Sequence, residues 1–226
     1  MSIVGTKVIR KEDPNLLTGR GQYVDDIQLA GMTHMAFVRS TEAHALIKGI
    51  DVSAALECEG VIGAWTAADL ELPPLPEVPG LERPTLATDK VRFVGEAVAV
   101  IVAESKYAAA DGTELVVVDY EPLEAVTNIE EATAEDAPLL FEELGSNTVA
   151  EVPSADDHQS VFDSAPHTEK IKLINNRCTA APIETSACLA DYGPAGLTIW
   201  ASFQAPHHLR NRISAWLGIP QDQCRV

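Results

Sequence analysis

The chain has 226 residues, of which 46% are hydrophobic and 22% are charged. A formal net charge of −18 and a pI of about 4.6 argue against a nucleic-acid partner, because so acidic a surface repels a phosphate backbone. The length suits one large or two small globular domains.

Cysteine usage and the chain start indicate the compartment. The opening stretch MSIVGTKVIRKEDPN lacks the apolar core of a signal peptide, and no later stretch is apolar enough to cross a membrane. No C-x-x-C pair occurs, so we expect buried free thiols and no zinc or iron–sulfur site within the chain; the cysteines are Cys58, Cys178, Cys188 and Cys224. A cytoplasmic protein is expected.

The first third of the chain predicts strands and a short helix. A strand is expected over 34–40, followed by a helix capped by Asp51. Gly60 then makes a turn before a strand over 61–66. The prolines of LELPPLPEVPGLERPT (70–85) remove backbone donors, so an extended surface loop is expected there.

The clearest unit of strand, helix and strand is KVRFVGEAVAVIVAESKYAAADGTELVVVDYEPL. Its predicted elements are a strand over 97–103 that is covered on both faces, a helix over 107–115 capped by Ser105, and a strand over 116–120 stopped by Pro122. Gly112 inside this helix costs about 1 kcal/mol relative to alanine, for a reason that the sequence alone does not supply. The succession indicates the α/β (α+β) fold class.

Acidic residues separate this unit from a second region. The segment NIEEATAEDAPLLFEE (128–143) has no basic residue and predicts a solvated loop or face, and a domain boundary is expected within 125–150. Residues 167–204 then predict strands joined by tight turns, with YGPAG as the hairpin loop between strands over 187–191 and 197–203. The final QCRV predicts the opening of another strand.

Gln204 lies where the strand over 197–203 meets a helix. That helix is expected to begin at Pro206 and to end at Gly218, with an apolar face of Leu209, Ile213, Trp216 and Leu217. A polar side chain between a strand's carboxyl end and a helix N-terminus can contact an anion or an oxo group. The alternative, in which Gln204 only satisfies local backbone groups, stays open at this point.

Other polar residues in the sequence give no site. His207 and His208 are adjacent in the helix and point about 100° apart, so they cannot chelate one ion together. We assign no catalytic residue and no metal ligand. Hydrogen-bonding or solvated roles are expected, ahead of general-acid or phosphate-binding roles, for Glu96, Glu184, Arg210 and Arg212.

Six stretches occur together in one order: RKEDPNLLTGRGQYVDDI, AHALIKGIDVSAAL, GVIGAWTAADL, KVRFVGEAVAVIVAESKYAAADGTELVVVDYEPLEAV, APIETSACLADY and WASFQAPHHLRNRISAWLGIP. Together they resemble the amino-terminal part of the molybdopterin-binding large subunit of the xanthine dehydrogenase/aldehyde oxidase family, including its carbon monoxide dehydrogenase-like members. The resemblance implies an a/b hammerhead domain over 18–125. It also implies the incomplete start of a molybdopterin-binding domain over 145–226.

The resemblance also implies a chemistry. In such enzymes molybdenum held by a pterin dithiolene hydroxylates an aldehyde, purine or heteroaromatic carbon, or oxidises carbon monoxide, with oxygen derived from water. Electrons leave through 2Fe-2S clusters to FAD on partner subunits or domains. The family's glutamine after the SF of the SFQ strand matches Gln204, which is therefore expected to bind the cofactor by donating its amide to an oxo ligand.

The family's glycine-rich loop of the GGGFGGK type and its catalytic glutamate base do not occur in these residues. We therefore expect a truncated or split large subunit that is inactive alone and acts with the remainder of the large subunit and with iron–sulfur and FAD-binding subunits. One alternative is a non-catalytic hammerhead interaction module, or relic fragment, that docks partner subunits. Another is a small-molecule binding protein that uses Gln204. The sequence does not specify the substrate.

Overall fold

The computed structural model describes residues 4–72, 81, 83–152 and 158–226. The helices are α1 (Asp13–Leu17), α2 (Ser53–Leu56), α3 (Lys106–Glu114), α4 (Ile129–Ala132), α5 (Gln159–Ser164) and α6 (Pro206–Leu217). The strands are β1 (His34–Arg39), β2 (Ala45–Asp51), β3 (Val61–Thr66), β4 (Lys90–Val91), β5 (Ala97–Ala103), β6 (Val117–Pro122), β7 (Cys188–Gly193), β8 (Gly196–Ala201) and β9 (Cys224–Arg225). This mixture confirms the predicted α/β (α+β) class.

Contacts divide the chain into two compact units, one of residues 31–170 and one of residues 1–30 with 171–226. The predicted bounds of 18–125 and 145–226 follow the family resemblance rather than these contacts, and they stay predictions. Among the described residues, no helix has the length and apolar character that crossing a membrane requires.

Two antiparallel sheets form the unit of residues 31–170. In one sheet β5 lies between β1 and β3, and in the other β2 lies between β4 and β6. One hydrophobic core contains residues of both sheets, including the fully buried Ile101 of β5, Val91 of β4 and Ala45 of β2. Burial of these aliphatic side chains therefore joins the two sheets.

The apolar run predicted as a strand forms β5 with its predicted bounds, and most of its residues are buried. Ser105 caps α3 as expected, because its Oγ accepts a hydrogen bond from the Ala108 N–H at 3.1 Å. The strands on either side of α3 belong to different sheets, however. The unit of strand, helix and strand is therefore not a parallel crossover.

Gly112 is explained by the packing of α3 against its sheet. A Cβ at this position would lie 2.9 Å from Ile101 Cγ2 and 3.0 Å from Val61 Cγ2. Carbon atoms do not approach so closely without displacement, and Ile101 is fully buried. Glycine therefore allows α3 to lie close to β3 and β5, at the cost of its weak helix propensity.

The end of β6 differs from its prediction. The strand continues through Pro122, which pairs with Ala45, instead of stopping at Tyr120. Because β6 lies at the edge of its sheet, a residue without an N–H is tolerated there. Most of the proline-rich loop predicted over 70–85 lies outside the described residues.

The acidic residues of segment 128–143 are exposed, as predicted, but the end of the segment also contacts residues 90–92. Lys90 Nζ, on a side chain that is 4% exposed, donates to Glu142 Oε1 at 2.6 Å. The Arg92 guanidinium lies 4.7 Å from the centre of the Phe141 ring. The end of the segment therefore packs against β4 and the residue that follows it.

In the unit of residues 1–30 and 171–226, β8 lies between β7 and β9. β7 and β8 form the hairpin that YGPAG predicts, and Gly193 pairs with Gly196 across its turn. After α6 the chain returns as β9, parallel to β8, which confirms the strand predicted at QCRV. The buried residues of this unit's core are Leu197, Ile199 and Cys224.

Two predictions for this unit are wrong. Residues 168–187 contain no strand, because the stretch has no ladder partner within the described residues, and the first strand begins only at Cys188. Cys178 in that stretch and Cys188 on the edge strand β7 are exposed, so neither is a buried thiol. Cys224 is buried as expected, and Cys58 is partly buried.

We expect Gly112→Ala to destabilise the protein by about 1–3 kcal/mol, because overpacking of Ile101 and Val61 outweighs the better helix propensity of alanine. Urea unfolding followed by circular dichroism measures this change. Asp111→Ala, on the exposed side of α3, is the matched control and should leave stability within about 0.5 kcal/mol. A Gly112→Ala variant more stable than the wild type would contradict the packing explanation.

Glu142 and Lys90 form an ion pair at the end of the acidic segment. The hydrogen bond from the Lys90 side chain lowers the pKa of the Glu142 carboxyl below its usual value of 4.5. A lowered folded-state pKa contributes stability above the usual pKa, and this contribution is lost as the pH falls through the folded-state value. Glu142 is largely exposed, so we expect Glu142→Gln to cost about 1 kcal/mol at most near pH 7.

Denaturant unfolding of wild type and Glu142→Gln near pH 7 and near pH 3.5 tests this linkage. The difference in unfolding free energy should shrink at the lower pH, because the stabilisation is lost as the pH falls below the usual pKa toward the lowered folded-state pKa. Glu143→Gln, at the neighbouring exposed carboxylate, is the control and should show no such change. A difference that is independent of pH would show that the carboxylate charge does not stabilise the segment.

Candidate functional site

Gln204 lies in the short connection between β8 and α6. β8 ends at Ala201 rather than at Phe203, so Gln204 follows the strand within this connection instead of ending the strand itself. Its side chain is exposed, and within the part of the chain that the structure describes it makes no hydrogen bond. Satisfaction of local backbone groups therefore does not account for this side chain, and its amide is accessible to a ligand.

Ser202 fixes the backbone that leads into Gln204. Its Oγ accepts a hydrogen bond from the Ala187 N–H at 2.8 Å and donates to the Thr185 carbonyl at 3.0 Å. Its own N–H donates to the Ala187 carbonyl at 3.1 Å. The connection is thus tied to the residues just before β7, although the sequence offered no motif that singles out Ser202.

The N-terminus of α6 faces the same connection. Ala205 occupies the N-cap position without a side-chain cap, and Pro206 is the first helical residue. Proline has no N–H, so the backbone N–H groups of His207 and His208 are the first-turn donors without an intrahelical acceptor. Gln204 therefore stands beside the positive end of a helix dipole, which favours anionic groups.

Close contacts hold the crossover from β8 through α6 to β9. Gly196 at the start of β8 has φ +106°, and a Cβ there would lie 2.2 Å from the Gln223 carbonyl oxygen. At the other end of α6, the buried Ser214 donates from Oγ to the Ile219 carbonyl at 2.5 Å. A side chain at position 196 would displace the Gln223 carbonyl, and loss of the Ser214 hydroxyl would remove the donor to the Ile219 carbonyl. These two contacts therefore fix the position of α6 between β8 and β9.

Arg210 differs from its predicted solvated role. The residue is half-buried, and its Nε atom is enclosed without a hydrogen-bond partner among the described residues. Arg210 lies one helical turn before the buried Ser214, so the two residues share one face of α6. This spacing of four residues is the sequence signal that would have placed Arg210 on the inner side of the helix. Arg212 is exposed, as expected, and His207 and His208 are exposed as well.

The glutamates act as hydrogen-bond acceptors, as the sequence predicts. Glu96 is 6% exposed, and its Oε2 accepts from the Arg92 N–H at 2.6 Å. Glu184 Oε1 accepts from the Val24 N–H at 3.3 Å. Neither carboxylate belongs to the connection that carries Gln204.

Gln204 and α6 present hydrogen-bond donors to the connection. The donors are the Gln204 amide and the free N–H groups of the first turn of α6.

On β7, partial burial raises the pKa of the Cys188 thiol, which keeps this thiol protonated although the residue as a whole is exposed. No three His, Cys, Asp or Glu side chains lie close enough to hold a metal ion, among the residues that the structure describes.

Comparison with known families matches two consecutive parts of the chain. Residues 18–124 match the family model described as aldehyde oxidase and xanthine dehydrogenase, a/b hammerhead domain. Residues 140–226 match the molybdopterin cofactor-binding domain. Gln204, its connection and α6 all lie within this second match. The family resemblance that the sequence motifs indicate is thereby confirmed.

Individual relatives agree with the family models. The chain is 39% identical to the nicotine 6-hydroxylase large subunit of Paenarthrobacter nicotinovorans, covering 100% of this chain and 29% of that protein. It is 37% identical to the carbon monoxide dehydrogenase large chain of Afipia carboxidovorans, covering 99% and 30% respectively. The crystal structure of quinoline 2-oxidoreductase from Pseudomonas putida 86 matches with a TM-score of 0.87 and 36% identity, over 97% of this chain and 29% of that chain.

The chain thus spans 29–30% of the length of the curated relatives that it matches. The match covers both the hammerhead domain and the start of the molybdopterin cofactor-binding domain. The chain therefore belongs to the aldehyde oxidase and xanthine dehydrogenase family, in which it corresponds to the amino-terminal part of the molybdopterin-binding large subunit.

Proposed function

We propose that this chain forms the first part of a molybdenum hydroxylase large subunit and contributes Gln204 to the binding of the molybdenum–molybdopterin cofactor. The observation that carries the proposal is an exposed amide without a hydrogen-bond partner, held beside a helix N-terminus inside the region that matches the molybdopterin cofactor-binding domain. The chain contributes cofactor contacts, and the whole activity belongs to the assembled enzyme.

The donors of this chain suit an anionic group that carries oxygen atoms. When bound, the cofactor supplies the redox chemistry that transfers water-derived oxygen to a carbon centre. Gln204 supplies a neutral N–H donor, which binds an oxo group without adding a charge. The first-turn N–H groups of α6 favour negative charge nearby, because they form the positive end of the helix dipole.

The role of Gln204 requires a fixed backbone. The Ser202 hydrogen bonds tie the connection to Thr185 and Ala187, so the backbone that carries the amide is held before a ligand arrives. Preorganised donors stabilise charge more effectively than mobile ones, because no ordering cost is added during the reaction. We therefore assign Ser202 as a positioning residue for Gln204.

The partners and the compartment follow from the same proposal. We propose assembly with the remainder of the large subunit, with 2Fe-2S and FAD carried on partner subunits or domains, in the cytoplasm. The domain bounds of 18–125 and 145–226 belong to this proposal. Candidate substrates are an aldehyde, a purine, a heteroaromatic compound or carbon monoxide, and the described residues do not select among them.

Retention of molybdenum tests the role of Gln204. The chain is co-expressed, in a host that makes the cofactor, with the part of the nicotine 6-hydroxylase large subunit beyond the match, hereafter the complementing polypeptide. Metal analysis of the purified assembly should show molybdenum, and Gln204→Ala should weaken its retention about 10-fold through loss of one hydrogen bond to a charged group. Asn211→Ala, on the exposed side of α6, is the control.

Equal molybdenum in the wild type and in Gln204→Ala would contradict the cofactor contact. An assembly that forms but never contains molybdenum would instead favour the non-catalytic interaction module. The isolated chain should show no steady reduction of an electron-accepting dye with any of the candidate substrates. Steady turnover by the chain alone would refute its predicted inactivity.

Ser202→Ala tests the positioning role separately. The substitution keeps Gln204 but removes the acceptor for the Ala187 N–H, so we expect molybdenum retention to fall by about 3–10-fold. Ser202→Thr keeps a hydroxyl and should restore most of this retention. Rescue by threonine would separate lost hydrogen bonding from general misfolding, and retention unchanged in Ser202→Ala would contradict the positioning role.

A further inference from the structure

Residues 138–147, hereafter the strap, lie where one family match gives way to the next. The hammerhead match ends at residue 124, and the molybdopterin cofactor-binding match starts at residue 140. The strap nevertheless belongs to the compact unit of residues 31–170, which contains the two antiparallel sheets. The first residues of the cofactor-binding match are therefore attached to the unit that contains most of the hammerhead match.

Asn147 joins the two ends of the strap. Its Oδ1 accepts a hydrogen bond from the Leu140 N–H at 3.1 Å, and its Nδ2 donates to the Ala132 and Pro138 carbonyls at 3.0 Å each. The side chain is half-buried, and both of its amide hydrogens are used. The folded shape of the strap therefore depends on one side chain, whose hydrogen bonds are lost together when the strap opens.

Arg92 attaches the strap to the end of β4. Its Nε donates to the Leu140 carbonyl at 3.0 Å, and its guanidinium lies over the Phe141 ring. A planar guanidinium can donate within its plane and stack on an aromatic face at the same time. The backbone of Arg92 is held in turn, because its N–H donates to the carboxylate of the buried Glu96.

The third attachment of the strap is the ion pair of Lys90 with Glu142. The Lys90 side chain is 4% exposed, whereas the Glu142 side chain is 64% exposed. Within the part of the chain that the structure describes, Glu142 supplies the one acceptor for the Lys90 ammonium. A buried ammonium without an acceptor is strongly unfavourable, so opening of the strap must also expose Lys90 to water.

We propose that the strap opens and closes as one segment while the two sheets stay folded, and that its closed state fixes the place where the chain enters the cofactor-binding region. The hydrophobic core that joins the sheets contains no strap residue among those described, so the sheets do not need the closed strap. Segments of this kind open at a lower free energy than the whole domain. All three attachments lie within residues 31–170, so the proposal does not depend on a contact between Gln204 and the cofactor.

Hydrogen exchange of the purified chain, measured by mass spectrometry, tests the separate opening. In Asn147→Ala, peptides that cover the strap should exchange at least about 10-fold faster than in the wild type, because the Asn147 hydrogen bonds are lost. Peptides that cover β5 should change less than about twofold. Asn175→Ala, at an exposed asparagine outside the strap, is the control and should match the wild type. Equal strap exchange in wild type and Asn147→Ala, or equal acceleration of the strap and β5, would overturn the proposal.

Acetylation of lysine side chains, located by mass spectrometry, tests the link between the strap and Lys90. In the wild type, Lys90 should react at least about 10-fold more slowly than the exposed Lys11, because a covered amine reacts only when the strap opens. Asn147→Ala should speed the reaction of Lys90 at least about fivefold, although the Asn147 side chain makes no hydrogen bond to Lys90. A Lys90 rate that is independent of Asn147 would contradict opening of the strap as one segment.

Two results distinguish this proposal from the cofactor role of Gln204. Strap exchange and Lys90 acetylation that depend on Asn147, in a chain whose assembly retains no molybdenum, would support the strap and contradict the cofactor role. Molybdenum retention that depends on Gln204, with strap exchange and Lys90 acetylation unchanged in Asn147→Ala, would contradict the strap alone.

Discussion

The connection between β8 and α6 depends on the hydroxyl of Ser202. This group accepts from the Ala187 N–H and donates to the Thr185 carbonyl, so it satisfies backbone groups that β7 and β8 leave unpaired where their ladder ends. The backbone of Gln204 is thereby held while its side chain makes no hydrogen bond within the described residues. A fixed backbone beneath a free amide is the arrangement that binding an external acceptor requires.

In each unit one glycine lets the backbone approach a neighbouring group more closely than a residue with a Cβ could. Gly112 brings α3 against Ile101 and Val61, and Gly196 brings the start of β8 against the Gln223 carbonyl. Of these two glycines only Gly196 has a positive φ, so glycine is needed there both for the backbone conformation and for the close approach to Gln223. In each unit the apolar core therefore forms around a backbone that approaches its neighbours more closely than alanine allows.

Strong local patterns predicted most of the fold, whereas features that depend on neighbours were missed. The apolar run of β5 and the proline and glycine that bound α6 specify these elements locally, and their bounds were predicted correctly. The extension of β6 to Pro122 depends on its place at a sheet edge, which periodicity does not reveal. The packing of Arg92 and Lys90 onto the acidic segment depends on contacts between residues far apart in sequence.

The candidate site shows the same division. The boundary between strand and helix locates Gln204, but Ser202 and the enclosed Nε of Arg210 acquire meaning only from the folded arrangement. The strands predicted within 168–187 are wrong for a related reason, because these residues join no sheet of the described chain. Local preference becomes a strand only when a partner supplies the ladder.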